Sequence, residues 1–419
     1  MVNFDINDDI KKLADRALEL CKEQFKKIEE ITEYNQQKVL KAFIDCKVSE
    51  SHLVGSTGYG YGDRGRETLD KIYAQIFESE DALVRHNFVC GTHAIATALF
   101  AVLRPQDTML CVTGKPYDTL KDVIGLSDKP GQGSLKDFKI KYDQVDLKNG
   151  GTLNFEGISK KITSDVKVVY LQRSRGYSLR ASLFPEDIKK VVDIVKNKNP
   201  NCIVVVDNCY GEFTQKIEPT SVGADLIVGS LIKNPGGGIA PTGGYIAGKK
   251  NLIKLCAYRL TTPGIGKEVG ATLNCNRELF LGTFNAPFVT GEALKTAVFA
   301  SAFFELLGFE TSPKYNEPRT DIIESIKLGN RNNLIKFCKG IQSFSPVDSF
   351  VSPEPWDMPG YDSQVIMAAG TFTLGASIEL SADAPLREPF AVWLQGGLNF
   401  YSSKIALMAT AQNGKFTER

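Results

Sequence analysis

Ala224-Asp225-Leu226-Ile227-Val228-Gly229-Ser230-Leu231-Ile232-Lys233 is an apolar run that ends in a lysine and passes at once into Asn234-Pro235-Gly236-Gly237-Gly238. Its length and β-branching predict a strand buried in a sheet, and the glycines after it predict a turn. A lysine placed where a strand leaves a core has lost much of its water. Desolvation disfavours the ammonium, and a neutral amine is the form able to make a Schiff base. Upstream, Asn201-Cys202-Ile203-Val204-Val205-Val206-Asp207-Asn208 reads as a strand buried on both faces, with Asp207 at its carboxyl end. Asp207 and Lys233 are 26 residues apart, room for a crossover and one more strand. Ligands bind at the carboxyl edge of open α/β sheets, so acid and amine are predicted to meet in one pocket.

The chain has 419 residues, enough for a sizeable core and more than one lobe. Lys plus Arg is 50 against Asp plus Glu 49, a net charge of +1 that points to neither nucleic acid nor a membrane surface. No run approaches the roughly 20 apolar residues of a transmembrane helix. Nine cysteines, scattered and without CxxC spacing, read as buried reduced thiols. With no signal-peptide pattern in Met1-Val2-Asn3-Phe4-Asp5, they predict a cytoplasmic protein. The three histidines form no metal-type spacing, and no metal is expected.

Along the chain, Ile10, Leu13, Ala14, Ala17, Cys21, Phe25 and Ile28 recur at helical intervals and predict an amphipathic helix over Asp8 to Glu33. Gly55 to Gly65 is glycine-rich and reads as an ordered loop, with a helix over Glu67 to Ser79. Strands are predicted at Ala82 to Val84, Met109 to Val112, Val166 to Leu171 and Ile203 to Val206, with helices at Gly91 to Val102 and Pro185 to Lys196. This alternation argues for an α/β fold with a mixed or parallel sheet and helices on both faces. Past Gly291 a long helix, Ala293 to Leu307, and the alternating segment Thr371 to Leu380 predict a smaller α+β lobe. The expected division is 1–54, 55–290 and 291–419.

Gly60-Tyr61-Gly62-Asp63-Arg64-Gly65 satisfies GxGxxG, but the dinucleotide fingerprint needs a buried strand before it, and Lys47 to Ser56 is polar and broken. Cys90-Gly91-Thr92 opens a helix of small residues, and its first amides form a cradle for phosphate or else a plain N-cap. Ser230 lies three residues before Lys233, where its hydroxyl can reach the same phosphate. Tyr117 follows a strand at the sheet edge, where an aromatic face can stack on a ring.

Gly91-Thr92, Tyr117, Val206-Asp207-Asn208 and Ser230-Leu231-Ile232-Lys233 occur in an order and spacing that resembles the fold-type I pyridoxal-phosphate enzymes of cysteine and methionine metabolism. With Gln172-Arg173-Ser174-Arg175-Gly176-Tyr177 and Gln395-Gly396-Gly397-Leu398, the chain looks most like the branch described as methionine γ-lyase-like or aluminium resistance protein, akin to cystathionine β-lyases. The resemblance implies an aspartate-aminotransferase-type fold, with a large, mostly parallel seven-stranded sheet domain and a smaller α+β C-terminal domain. It makes Lys233 the Schiff-base lysine and Asp207 the partner of the pyridinium nitrogen. It gives the phosphate to Gly91, Thr92 and Ser230, and the ring stack to Tyr117. Tyr61 matches the tyrosine that crosses to the neighbouring subunit's phosphate; the crossing arginine has Asp63 at its place, which leaves Arg64 as the candidate. The chain departs from its relatives at Arg173-Ser174-Arg175 and lacks their C-terminal arginine motif, so Arg387, Arg175 and Arg173 are the candidates for the substrate carboxylate.

What the resemblance implies is a carbon–sulfur lyase that takes a small amino acid of the cystathionine, cysteine or methionine type. Tyr117 or Tyr61 would give the leaving thiol its proton, in a homodimer or homotetramer with shared sites. Aminotransfer, racemisation and decarboxylation share the first steps and stay open, as does a pyridoxal-phosphate-binding stress protein without turnover.

Overall fold

A computed structural model describes residues 4–127, 131–358 and 363–416. The chain forms two compact units, one of residues 35–285 and one of residues 1–34 with 286–419. The N-terminal residues are therefore no segment of their own, because 1–34 group with the C-terminal part of the chain.

The unit 35–285 is built on seven strands: β1 (Asp81–Arg85), β2 (Thr108–Cys111), β3 (Lys141–Gln144), β4 (Val166–Gln172), β5 (Ile203–Asp207), β6 (Leu226–Ser230) and β7 (Gly244–Gly248). They lie in the order β1-β7-β6-β5-β4-β2-β3. Every pair from β6 to β3 is parallel, whereas β7 runs antiparallel to both β6 and β1. Two reversals return β1 to the direction of β6. The chain leaving β1 thus emerges at the same edge as the carboxyl ends of β2, β4, β5 and β6.

Helices alternate with these strands: α2 (Arg64–Ile76), α3 (Gly91–Val102), α4 (Asp118–Ile124), α5 (Phe155–Lys161), α6 (Pro185–Lys198) and α7 (Lys250–Leu260). The helix before them, α1 (Asp8–Asp45), is 38 residues long and outruns its predicted end because apolar spacing continues through Val39 and Ala42, both fully buried. On one face of the sheet, Ala94, Ala98 and Leu99 of α3 and Ile253, Cys256 and Ala257 of α7 share a core with Leu83, Val228 and Ile246. Small residues on α3 let it approach closely; a Cβ on Gly244 of β7 would sit 3.2 Å from that of Ala94.

The unit of 1–34 and 286–419 holds a second sheet of β8 (Glu310–Ser312), β9 (Glu324–Lys327), β10 (Val365–Ala368), β11 (Ser381–Pro385) and β12 (Ala391–Gln395), ordered β10-β11-β12-β9-β8 and antiparallel throughout. Its helices include α9 (Arg331–Ser343) and α10 (Phe400–Asn413); α8 (Asn276–Leu306) begins in the first unit and ends here. Thr371 to Leu380 is not a strand. Its alternation is broken by a carboxylate cap, in which the amides of Phe372 and Thr373 donate to Glu379 at 2.9 and 2.7 Å, leaving Phe372 and Leu374 exposed. No helix among the described residues is long and apolar enough to cross a membrane.

Candidate active site

Asp207 is the last residue of β5, paired across to Gln172 on one side and Val228 on the other. Its carboxylate accepts from the Cys209 amide at 3.1 Å and from the Tyr170 hydroxyl at 3.4 Å. Burial holds its pKa above the usual carboxylate range, against the Cys209 bonds and the charge of Lys233, which pull it down. Asp207 and Lys233 thus stand close enough to act on each other electrostatically. Ser230 ends β6, buried, and Lys233 follows after a short turn, partly buried.

The start of α3 closes the group. A Cβ added at Gly91 would lie 3.4 Å from the Cβ of Ser230 and 3.6 Å from the Sγ of Cys209, so helix start, β6 end and the turn after Asp207 converge. Cys90 is the N-cap, its sulfur accepting from the His93 amide, and the amides of Gly91 and Thr92 point beyond the helix end as every first-turn amide does. Thr92 Oγ1 lies 2.7 Å from Thr119 Oγ1, which ties α3 to α4 and to its N-cap residue Tyr117. The Tyr117 ring is 5.9 Å from that of Tyr177, and a Cβ on Gly176 would be 3.3 Å from its edge.

Other predicted residues lie differently. Arg173 is fully buried, its guanidinium donating to Asn208 Oδ1 at 2.7 Å and to Glu218 at 3.0 Å. A guanidinium so committed has no open face for a substrate carboxylate, and the expectation for Arg173 is corrected to a structural role. Arg175 is buried in the turn after β4, and Arg387 is exposed after β11 in the other unit. Tyr61 is exposed, its ring 5.5 Å from Tyr59, and Arg64 is exposed at the first position of α2. Among the described residues neither contacts the Lys233 group within the chain.

The glycine-rich loop holds its shape for a local reason. Asp63 caps α2, accepting from the Arg66 amide at 2.9 Å, Thr272 Oγ1 at 2.6 Å, Asn276 Nδ2 at 3.2 Å and the Ser56 hydroxyl. The buried Arg66 donates to the carbonyls of Gly60 and Gly270 at 2.8 and 2.7 Å. Asp63 thus serves as the acceptor that the start of α2 needs.

Three site features escaped the sequence reading. Tyr210 Oη lies 2.5 Å from Lys233 Nζ, and that nitrogen is 3.8 Å from the ring centroid. Cys209 backs Asp207. Glu212, fully buried, takes the Tyr245 hydroxyl on Oε1 at 2.8 Å, leaves Oε2 without a partner, and has its pKa pushed from 4.5 up to about 8, chiefly by burial. Only the nearness of Tyr210 and Glu212 to Asp207 in the chain could have signalled them. Among the described residues no cluster of His, Cys, Asp or Glu is arranged to hold a metal ion.

A doubly wound sheet whose strand ends gather a lysine, a buried carboxylate, a hydroxyl and a helix start defines the large pyridoxal-phosphate enzyme fold, and the chain belongs to the methionine gamma-lyase family, whose model matches residues 10–415. It is 50% identical to the uncharacterized protein YnbB of Bacillus subtilis (strain 168) over 93% of this chain and 92% of that one. A solved structure from Clostridium novyi, described as a carbon-sulfur lyase involved in aluminum resistance, is 55% identical, covers 97% of this chain and 96% of its own, and has a TM-score of 0.93. Another from Listeria innocua is 51% identical over 97% and 99% of the two chains, with a TM-score of 0.95. A pyridoxal-5'-phosphate dependent protein of Escherichia coli, YhfS, shares the fold at 14% identity and a TM-score of 0.63.

Proposed function

We propose that the chain is a pyridoxal-phosphate-dependent carbon–sulfur lyase that expels a thiol from a sulfur amino acid of the cystathionine, cysteine or methionine type. The observation that carries it is the convergence of Gly91, Ser230 and the Cys209 turn, with Asp207 and Lys233 at the same strand ends. The residues fit the cofactor: a glycine opens the helix start where a larger side chain would fill the cradle, a hydroxyl stands beside it, a buried carboxylate ends one strand, and an amine follows the end of the next. Family membership and the neighbours' descriptions favour carbon–sulfur chemistry over aminotransfer, racemisation, decarboxylation or binding alone.

In this reading the amides of Gly91 and Thr92 and the Ser230 hydroxyl hold the phosphate, with the positive end of α3 behind them. Tyr117 would lie against the ring, Asp207 would serve the ring nitrogen, and Lys233 would be the amine that holds the group. The bound group supplies an electron sink for charge developing at the substrate Cα. The Asp207 carboxylate would favour the protonated form of that nitrogen. Lys233 Nζ would be the base that takes the Cα proton of the substrate. Tyr117, or Tyr61 from a second copy of the chain, gives a proton to the leaving sulfur. With water the products are a keto acid, ammonia and a thiol. Arg175 and Arg387 are the remaining candidates for the substrate carboxylate, and a cytoplasmic homodimer or homotetramer is the proposed setting, consistent with nine cysteines that form no disulfide.

Purified protein incubated separately with cystathionine, cysteine and methionine tests the reading. Keto acid and thiol released in equal amounts from at least one of them is the expected result. Keto acid with no thiol, or amine with no keto acid, would replace it with aminotransfer or decarboxylation.

A further inference from the structure

Tyr210 stands three residues beyond Asp207 and has no part in the scheme above. Its side chain is buried, its oxygen lies 2.5 Å from Lys233 Nζ, and the same nitrogen is 3.8 Å from the ring centroid. A group that accepts a hydrogen bond from an amine and also offers it a π face fixes where that amine lies. The backbone is bent to put it there. At +67°, φ of Tyr210 is left-handed, a region that a bulky side chain seldom enters, and such outliers concentrate where a side chain must be aimed.

The surroundings hold that conformation in place. Cys209 N donates to Asp207 Oδ1 at 3.1 Å and Gly211 N to the Asn208 carbonyl at 2.8 Å. Gly211 packs so tightly that a Cβ on it would come within 2.4 Å of Cδ of the buried Arg173. A turn fixed at both ends, behind a fully buried ion pair, therefore presents one phenol to one lysine.

We propose that Tyr210 is the positioning residue for Lys233: its phenol oxygen orients the amine for capture of an aldehyde and for proton removal, and stabilises the charged amine relative to the neutral one. The proposal rests on the reading of Lys233 as the cofactor-bearing lysine. Asp207 and Cys209 also act on Lys233 electrostatically, and both stay in place when only the hydroxyl is removed, so the share of Tyr210 is separable.

The test uses full-length protein stripped of cofactor, with pyridoxal phosphate added at a series of pH values, capture followed by absorbance, and the site located by borohydride fixation and peptide mapping. For Tyr210→Phe, capture still maps to Lys233. The high-pH rate falls by up to about tenfold, the worth of one hydrogen bond between neutral groups, and the midpoint of the pH–rate curve moves to lower pH because the ammonium has lost an acceptor. A merely structural tyrosine would lower the melting temperature and leave the midpoint alone, and that result overturns the proposal. Fixation at Lys233 in neither protein overturns both readings together. Should Tyr210→Phe not fold, 3-fluorotyrosine at position 210 keeps the ring, weakens the acceptor, and is expected to move the midpoint in the same direction by less; an unmoved midpoint there counts against the proposal.

Discussion

Asp207 shows how a single carboxylate is tuned. Burial pushes its pKa up, while the Cys209 bonds, Lys233 and Tyr170 pull it down, and a protonated ring nitrogen would add to the pull. Asp207→Asn removes the charge and keeps the shape, so cofactor is expected to bind while turnover falls about 100-fold or more, measured as kcat with any substrate that releases keto acid. Undiminished kcat would remove Asp207 from the proton chemistry. Glu212 is a second buried carboxyl raised by burial, its pKa going from 4.5 to about 8. Between those pH values the folded state holds a proton that the unfolded state has released, so stability falls as pH rises through this window. Glu212→Gln removes that contribution, and urea unfolding midpoints at pH 5 and pH 8 are expected to lie closer together than in the parent protein. Asp207, Ser230, Gly91 and Lys233 were legible in the sequence because each ends or opens an element that apolar patterning marks. Tyr210 was not, because a left-handed φ leaves no pattern. Arg173 was misread because its partner Glu218 lies beyond the next strand in sequence, where spacing says nothing of contact.

At the scale of elements, the turn between β5 and β6 carries as much of the site as the strands do. Arg173, leaving β4, is locked to Asn208 and Glu218 of that turn, both partners of the ion pair fully buried. Arg173→Met leaves the Glu218 carboxylate without its cation and is expected to cost about 3–5 kcal/mol in urea unfolding, the usual effect of halving a buried pair. A loss below about 1 kcal/mol would mean that the turn is held by its backbone bonds alone. Strands with long β-branched runs, β4, β5 and β6, were readable from the sequence. The strand β7, Gly-Tyr-Ile-Ala-Gly, was not, because two glycines in five residues resemble a turn until the sheet around it is known. Thr371 to Leu380 misled in the other direction, since strand-like alternation gives no sign of a carboxylate that collects backbone amides.

For the whole molecule, the exposure of Tyr61 and Arg64 carries a consequence. If Tyr61 serves the site of a second copy, a dimer of Tyr61→Ala with Lys233→Ala chains has one site with both defects and one with neither. Mixing the two inactive variants after reversible dissociation is expected to restore about a quarter of the parent activity, because half of the dimers are mixed and each holds one intact site. No recovery, with mixed dimers present by mass, would place Tyr61 outside the shared site. The division of the chain was only partly legible. Residues 1–34 joining the C-terminal residues is a long-range contact that helical periodicity cannot express.

Borohydride reduction followed by peptide mapping reads out whether Lys233 holds pyridoxal phosphate. One phosphopyridoxyl group per chain is expected, on Lys233, and none after Lys233→Ala. A label on another lysine, or a label that persists in Lys233→Ala, would contradict that role for Lys233.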